Sequence, residues 1–194
     1  LVVGYVSLSF ILASCAGTSS RMSRTLSPSE KNAQLEKYFE QTKDIDYVIK
    51  VLRDEDHMLR MEAARILGET RNRRAVEPLV TALRTDKHYA VREEAAHALG
   101  KKKDPRTVDA LIYALGDKES TVRRLAAASL GEIGDRRAVE PLLITLRKDR
   151  SPLVRSVVLT ALDKIGWKMS AMKTLPQPES IPAVKEKRQQ FPRI

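Results

Sequence analysis

One ten-residue segment occurs four times in this chain at a nearly constant period. Its clearest copy has the sequence VRRLAAASLG and runs from Val122 to Gly131. A leucine stands at the ninth position of every copy, and these anchor leucines fall 31–32 residues apart: Leu67, Leu99, Leu130 and Leu162. An alanine-rich segment repeated at this period is typical of helical solenoids, in which each repeat is a helix pair stacked on the next pair.

A second apolar pattern precedes each copy of the segment. Its side chains recur at i, i+3, i+4 and i+7, which places them on one face of a short helix. They are Ile45, Val48, Ile49 and Leu52; Val76, Leu79, Val80 and Leu83; Val108, Leu111, Ile112 and Leu115; and Val139, Leu142, Leu143 and Leu146. The sequence therefore predicts an all-α fold of about four helix pairs over residues 44–166, with the repeated segment as the second helix of each pair.

Local signals mark the ends of several helices. Ser27 and Glu30 flank Pro28 as a capping box, which predicts an N-terminal cap helix over residues 28–43 that covers the first repeat. Two further helix starts are marked by a capping side chain before a proline, at Asp104-Pro105 and Ser151-Pro152. Glycines follow three anchor leucines, where we expect left-handed helix ends: Gly68, Gly100 and Gly131.

The first 14 residues form an uncharged apolar run that closes on Leu12-Ala13-Ser14-Cys15. The run is shorter than the roughly 20 residues of a membrane-spanning helix and has the length of a signal-peptide apolar region. The four closing residues resemble the lipobox of bacterial lipoproteins, in which the cysteine is acylated and becomes the mature N-terminus. The resemblance implies a signal peptide at residues 1–14, lipidation of Cys15, and a flexible tether over residues 15–27. The alternative is a buried helix with an incidental cysteine.

The segment from Gly131 to Leu143, GEIGDRRAVEPLL, resembles the HEAT-like repeat of the phycobilisome lyases, and a looser copy lies at residues 68–80. The resemblance covers roughly residues 44–166. It implies antiparallel helix pairs stacked into a short right-handed α-solenoid. Bilin lyases and iron-dependent deoxyhypusine hydroxylases both use this repeat, so the resemblance leaves an enzyme or enzyme-subunit role open.

An arginine stands seven residues before every anchor leucine, at Arg60, Arg92, Arg123 and Arg155. In the HEAT-like class this arginine pairs with an acid in the preceding turn. The resemblance thus implies that the partners are Asp54 or Asp56, Asp86, Asp117 and Asp149. We interpret the four arginines as a structural ladder rather than a phosphate-binding row, held by bidentate pairing for which lysine is no substitute.

Second-helix positions that packing does not require are expected to line the concave face, where solenoids bind partners. This face is charged toward its N-terminal end and becomes apolar at Leu125 and Val157. Exposed apolar side chains in a rim of charge are a feature of partner sites, although both residues could equally belong to the core. The predicted partner-binding residues are Met61, Arg65, Glu94, His97, Arg124, Leu125 and Val157.

The sequence offers no pattern typical of a catalytic or metal site. His57, His88 and His97 form no HExxH motif and no His-Glu pair of the kind through which the hydroxylases bind iron. No glycine-rich phosphate loop occurs. We therefore expect no metal, no cofactor and no enzymatic activity. A third possibility is a structural spacer that recognises envelope lipid or wall polymer.

The net charge of +10 is concentrated in part in turns between the repeats, at residues 71–74, 101–103 and 136–137. This edge is either solvated or in contact with anionic lipid headgroups. Residues 167–194 form a proline-containing basic tail that we expect to be largely disordered. Together these features predict a lipid-anchored bacterial envelope adaptor, on the periplasmic side of the outer membrane where one exists. We expect it to bind a protein partner and no nucleic acid.

Overall fold

The computed structural model describes residues 27–167, and within this range the chain forms α-helices, short 3-10 helices and no strand. The helices are α1 Pro28–Thr42, α2 Ile45–Val51, α3 His57–Glu69, α4 Val76–Thr85, α5 Tyr89–Lys102, α6 Val108–Ala114, α7 Ser120–Ile133, α8 Val139–Lys148 and α9 Pro152–Lys164. The 3-10 helices are Arg73–Ala75, Pro105–Thr107 and Arg136–Ala138. The predicted signal peptide, nearly all of the tether, and the tail after Trp167 lie outside the described residues.

Helices α2 to α9 form four consecutive pairs, and the repeated segment is the second helix of each pair. The second helices α3, α5, α7 and α9 pack against one another in order, whereas the first helices make far fewer contacts among themselves. The second helices therefore form the more closely packed layer of the stack, which we call the inner layer. The result is the predicted all-α solenoid.

Short side chains permit this close packing of the second helices. The paired alanines of the first three repeats are fully buried: Ala63, Ala64, Ala95, Ala96, Ala126 and Ala127. The anchor leucines are buried beside them, and each contributes roughly 1.5–3 kcal/mol to the hydrophobic stabilisation of the fold. Neighbouring repeats therefore supply one another with a core that no single pair could bury.

The cap helix α1 begins as predicted. The Ser27 backbone amide donates to Glu30 Oε2 at 2.7 Å, and the Glu30 amide donates back to Ser27 Oγ at 3.3 Å. These two bonds satisfy amides that a helix start would otherwise leave unpaired. The helix packs against α3 with Leu35 buried, so it covers the first repeat.

The glycines after the anchor leucines do not end their helices, so that prediction was wrong. Gly68, Gly100 and Gly131 lie inside α3, α5 and α7. The left-handed glycines are instead Gly134, at a φ of 76°, and Gly166, at a φ of 80°. Gly68, Gly100 and Gly131 have ordinary helical backbone angles. The need for a left-handed conformation therefore does not explain why glycine occupies these three positions.

These internal glycines lie where one second helix crosses the next at very short range. A Cβ atom added to Gly131 would stand 2.8 Å from the Cα atom of Ala161, and one added to Gly68 would stand 2.8 Å from the Cβ atom of Ala98. Both distances are below any normal carbon–carbon contact. The glycines are therefore required by the close approach of neighbouring repeats.

Past α9, Trp167 packs against the core, and its backbone amide donates to the Leu162 carbonyl at 2.9 Å. None of the helices between residues 27 and 167 is long and apolar enough to cross a membrane.

Candidate functional site

The arginine ladder joins consecutive repeats. Arg60, in the first turn of α3, donates from Nε and Nη2 to the Asp86 carboxylate at 2.7 and 2.9 Å. Its Nη1 donates to the backbone carbonyls of Asp54 and Glu55 at 2.9 and 3.0 Å. One guanidinium therefore holds the turn of its own repeat and the acid of the next repeat, and both partners in the ion pair are almost completely buried.

The next two arginines repeat this geometry. Arg92 binds Asp117 at 2.7 and 2.9 Å, and Arg123 binds Asp149 at 2.6 and 3.0 Å. The predicted ladder is present, but the predicted pairing within each repeat was wrong. The preceding turn offers its carbonyls rather than its carboxylate, because that carboxylate already receives the arginine of the repeat before.

The two ends of the ladder differ from its middle. At the start, Lys31 of the cap helix donates to Asp56 at 3.4 Å, so α1 acts as the second helix of an incomplete repeat. At the end, Arg155 donates from Nη1 to the Asp149 carbonyl at 2.8 Å. Among the described residues, no carboxylate pairs with Arg155.

Burial and hydrogen bonding have opposite effects on the pKa of the aspartates that pair with the ladder arginines. Burial alone would raise the pKa of Asp86, but the hydrogen bonds from Arg60 and from the His88 backbone amide outweigh it and leave the pKa below its usual value. The same balance lowers the pKa of Asp117. The hydrogen bond from Arg123 is the main cause of the lowered pKa of Asp149. All three acids are thus ionised at neutral pH, as the pairing requires.

The predicted partner-binding residues lie along the inner layer, and they differ in how exposed they are and in whether they are paired with other charges. Met61 is half-buried, and His97 is exposed. Arg65 is held within the chain by three carboxylates, Glu62 at 2.6 Å and Glu36 and Glu69 at 2.9 Å each. The N-terminal part of this face is therefore a network of paired charges.

The middle of the face carries two more charged positions. Arg124 approaches Glu93 at 3.9 Å, a loose ion pair. Glu94 is half-buried, and burial raises its pKa, while His97 and Lys101 act in the opposite direction. A carboxyl group in this position is more readily protonated than one in water.

The C-terminal part of the face is apolar. Leu125 and Val157 are half-buried and pack against the core with part of their surface. They are therefore neither fully exposed, as the predicted partner site implied, nor full members of the core. Sequence reasoning missed Leu153, which is 71% exposed. It stands four residues before Val157 and therefore on the same helix face, and this spacing was the signal that could have identified it. We call these three residues the apolar end of the inner face.

Two of the three histidines lie against each other. The rings of His57 and His88 stack with their centroids 3.8 Å apart, and His88 Nδ1 accepts the Ala90 backbone amide at 3.3 Å as the N-cap of α5. Burial and the neighbouring His57 lower the pKa of His88, against the opposite influence of Asp86. Within residues 27–167, no group of three or more metal-ligating side chains comes together.

We predict that this histidine pair makes stability depend on pH. Because the folded-state pKa of His88 lies below its unfolded value of about 6.5, the free energy of unfolding should be constant above pH 7 and decrease as the pH falls from 7 to 5. Urea unfolding at several pH values measures it. His88→Asn, which retains an N-cap, should flatten this dependence, whereas replacing the exposed His97 with asparagine should not. Equal curves for the parent and His88→Asn would contradict the assignment.

The predicted basic edge is partly neutralised within the chain. Arg74 pairs with Asp46, Arg137 pairs with Asp109 at 3.2 Å, and Lys103 approaches Glu132 at 3.7 Å. These pairs are exposed and contribute little to stability. The remaining charge at this edge is smaller than the sequence clusters suggest, so lipid contact there stays a prediction.

Comparison with known families identifies the repeat. The family model for HEAT repeats matches residues 45–119, 76–163 and 109–186, which together span well over half of the chain. The chain belongs to the HEAT-repeat family. A comparison with functionally curated proteins gave no match.

Two of the solved structures that match this HEAT-repeat chain show what it is similar to. The complex of CpcE and CpcF of phycocyanin lyase from Nostoc sp. PCC7120 is 32% identical with a TM-score of 0.56, over 63% of this chain and 53% of that one. Human deoxyhypusine hydroxylase in complex with glycerol is 24% identical with a TM-score of 0.56, over 64% and 44%. The chain thus spans about half the length of these relatives. The second likeness shows the fold alone.

Proposed function

We propose that this HEAT-repeat chain is a non-enzymatic adaptor that binds a protein partner through the inner face of its solenoid. The observation that carries the proposal is the apolar end formed by Leu125, Leu153 and Val157, beside a row of paired charges. A leucine exposed as fully as Leu153 gains roughly 1.5–3 kcal/mol when a partner buries it. The half-buried Leu125 and Val157 would extend the same contact.

The charged part of the face would determine which partner binds and in what register. Arg65 is fixed by its three carboxylate partners and therefore contributes to a rigid pattern of charge. Rigid charged groups around an apolar centre contribute to selectivity more than to affinity. The relative at 32% identity is itself a complex of two proteins, which supports a binding role for this repeat.

Replacing Leu153 with aspartate is expected to reduce partner capture at least tenfold, because a charge would be buried at the centre of the contact. A photo-crosslinking residue at the exposed Thr160 reports capture, and mass spectrometry identifies the crosslinked protein. Helicity and unfolding should not change, since Leu153 is mostly in solvent. Ile144→Asp is the matched control: Ile144 is 44% exposed but lies on the first helix α8. Equal capture by both variants would move the contact away from the inner face.

We also propose that the chain is attached to a bacterial envelope membrane through acylated Cys15, on the periplasmic side of the outer membrane where the cell has one. The support is the sequence alone, an apolar run ending in Leu12-Ala13-Ser14-Cys15. Several acyl chains on one cysteine would hold the solenoid firmly at the membrane, since a single chain binds only weakly.

The anchor predicts a specific intact mass. The membrane-fraction protein should have the mass of the chain from Cys15 onward plus acyl chains, and Cys15→Ala should abolish both the cleavage and the lipid. Intact-mass spectrometry measures this directly. An unprocessed product of full mass, found in the soluble fraction, would contradict the anchor but would leave the binding role of the inner face standing.

The identity of 32% with a phycocyanin lyase structure favours a second candidate, a subunit of a lyase-type enzyme. In that case the chain, purified after co-expression with a bilin-producing system, should carry visible absorbance in stoichiometric amount. A colourless preparation that still binds its protein partner would favour the adaptor.

A further inference from the structure

The last second helix, α9, differs from the earlier ones on the side that corresponds to their contact with the next repeat. In α3, α5 and α7 that side carries a stripe of three residues at i, i+4 and i+8, in which the arginine binds the acid of the next repeat and the glycine meets the next second helix. The three stripes are Arg60, Ala64 and Gly68; Arg92, Ala96 and Gly100; and Arg123, Ala127 and Gly131. In α9 the same positions hold Arg155, Leu159 and Asp163, which we call the terminal stripe.

Within residues 27–167 the terminal stripe has an exposed leucine and two charges without ion-pair partners. Leu159 is 40% exposed, whereas the three alanines at the same position are fully buried. Arg155 donates from Nη1 to the Asp149 carbonyl at 2.8 Å, and no carboxylate in this part of the chain meets its Nε or Nη2. Asp163 is exposed, and its carboxylate pairs with no described residue. Two opposite charges and the leucine between them are therefore open to another molecule.

The terminal stripe does not suit a further repeat stacked as the earlier ones are. A Cβ atom added to Gly68 or to Gly131 would already stand 2.8 Å from an atom of the next second helix. Asp163 places a whole side chain at this position, and Leu159 replaces an alanine, so another second helix could not approach α9 to the same distance. The molecule that covers this side must meet it with a different geometry.

The order of the three residues is self-complementary when two copies of α9 lie antiparallel. Leu159 is the midpoint of the stripe, four residues from either charge. A two-fold axis at Leu159 therefore places Arg155 of each copy opposite Asp163 of the other copy. Two identical ion pairs then flank a contact between the two leucines, at about 12 Å from each other along the helix. In a parallel arrangement of the two helices, like charges would meet instead.

We propose that two copies of this chain associate through their terminal stripes, with the α9 helices antiparallel about a two-fold axis at Leu159. Such an isologous contact is the commonest one in homodimers. It gives the Arg155 guanidinium the carboxylate that the other ladder arginines receive from the next repeat. A contact made by one helix face is small beside a stable interface, so the dimer should depend on protein concentration. Leu153 and Val157 lie on another side of α9, so the proposal is independent of partner binding at the apolar end.

Photo-crosslinking between two differently tagged copies of the full chain tests the dimer. A photoreactive residue replaces Ser156, which is exposed and lies three residues before Leu159. The parent pair should give a crosslinked product that carries both tags, and mass spectrometry should map the crosslink to α9 of the other copy. Arg155→Glu in both copies, or Asp163→Arg in both, should lower the yield about tenfold, because each creates two pairs of like charges. Arg147→Glu, an exposed charge reversal on α8, is the matched control and should leave the yield unchanged.

A mixed pair of variants gives the decisive result. One copy with Arg155→Glu and a second with Asp163→Arg should restore the crosslink, because a stripe with two acids then faces a stripe with two arginines. Asp163→Arg should also leave the helicity unchanged, since a cation is favourable in the last turn of a helix. Loss of its self-association therefore reports the contact and not unfolding.

Three results would overturn the proposal. The first is a parent pair that gives no product carrying both tags. The second is a mixed pair whose yield is no higher than that of either variant paired with itself. The third is a crosslink from position 156 to another segment of the same chain or to a different protein, which would assign the terminal stripe to that occupant.

Discussion

Replacing Gly131 with leucine is expected to lower the free energy of unfolding by about 3 kcal/mol or more. The reason is the crossing of α7 and α9, where a Cβ atom on residue 131 would meet backbone as well as side-chain atoms of Ala161. Backbone cannot move aside as a flexible side chain can, so the two helices must separate. Urea unfolding followed by circular dichroism measures the loss.

The alanine variant at the same position gives a sharper test, because the sign of the effect is unusual. In a free helix, Gly→Ala is stabilising by about 1 kcal/mol, but Gly131→Ala should be destabilising here. The control is Gly116→Leu, at an exposed turn where an added Cβ would meet only the Tyr113 carbonyl at 3.5 Å, and it should change stability by about 0.5 kcal/mol or less. If Gly131→Ala proved stabilising, the crossing of α7 and α9 would have space for a methyl group, which would contradict the prediction.

Replacing Arg92 with methionine should lower the free energy of unfolding by about 3 kcal/mol, because it leaves the buried Asp117 carboxylate without its partner. The side chain is nearly as long and remains apolar, so little packing is lost. Arg92→Lys should recover only part of the stability, since an ammonium group cannot reproduce two parallel hydrogen bonds and the bonds to two carbonyls. Thermal and urea unfolding measure the series.

A surface arginine provides the comparison for Arg92. Arg106→Met removes the ion pair of Arg106 with Asp104, in which the Arg106 side chain is 62% exposed, and should cost less than about 1 kcal/mol. If the two methionine variants proved equally stable, the ladder ion pair would contribute no more to stability than an exposed ion pair, and the ladder would not be a structural connection between repeats. Adding Asp117→Asn to Arg92→Met should restore part of the loss, because the unpaired charge is then removed.

The period and the apolar pattern predicted the helix pairs, the cap helix and the all-α class. These features depend on local spacing, which the sequence displays directly: the face of a helix is decided by which residues stand three and four apart. The capping box at Ser27 and the prolines at helix starts belong to the same group. Residues a few positions apart are enough to specify them.

The partners of the ladder could not be predicted in the same way. Arg92 has one aspartate six residues before it, Asp86, and another 25 residues after it, Asp117. In each of the first three repeats an aspartate lies six residues before the arginine and another lies 25 or 26 residues after it. Sequence alone therefore does not distinguish a contact within a repeat from one between repeats. The stacking of the repeats decides which aspartate each arginine binds, because it brings the carboxylate of the next turn against the guanidinium.

The sequence by itself therefore determined the repeat, its helices and the residue types of the ladder, since all of these follow from short-range spacing. Only the tertiary structure decided what the glycines do, which acid each arginine binds, and how far Leu125, Leu153 and Val157 are exposed. Each of these depends on the distance between helices about 30 residues apart in the chain, a distance that packing fixes and that no local pattern records.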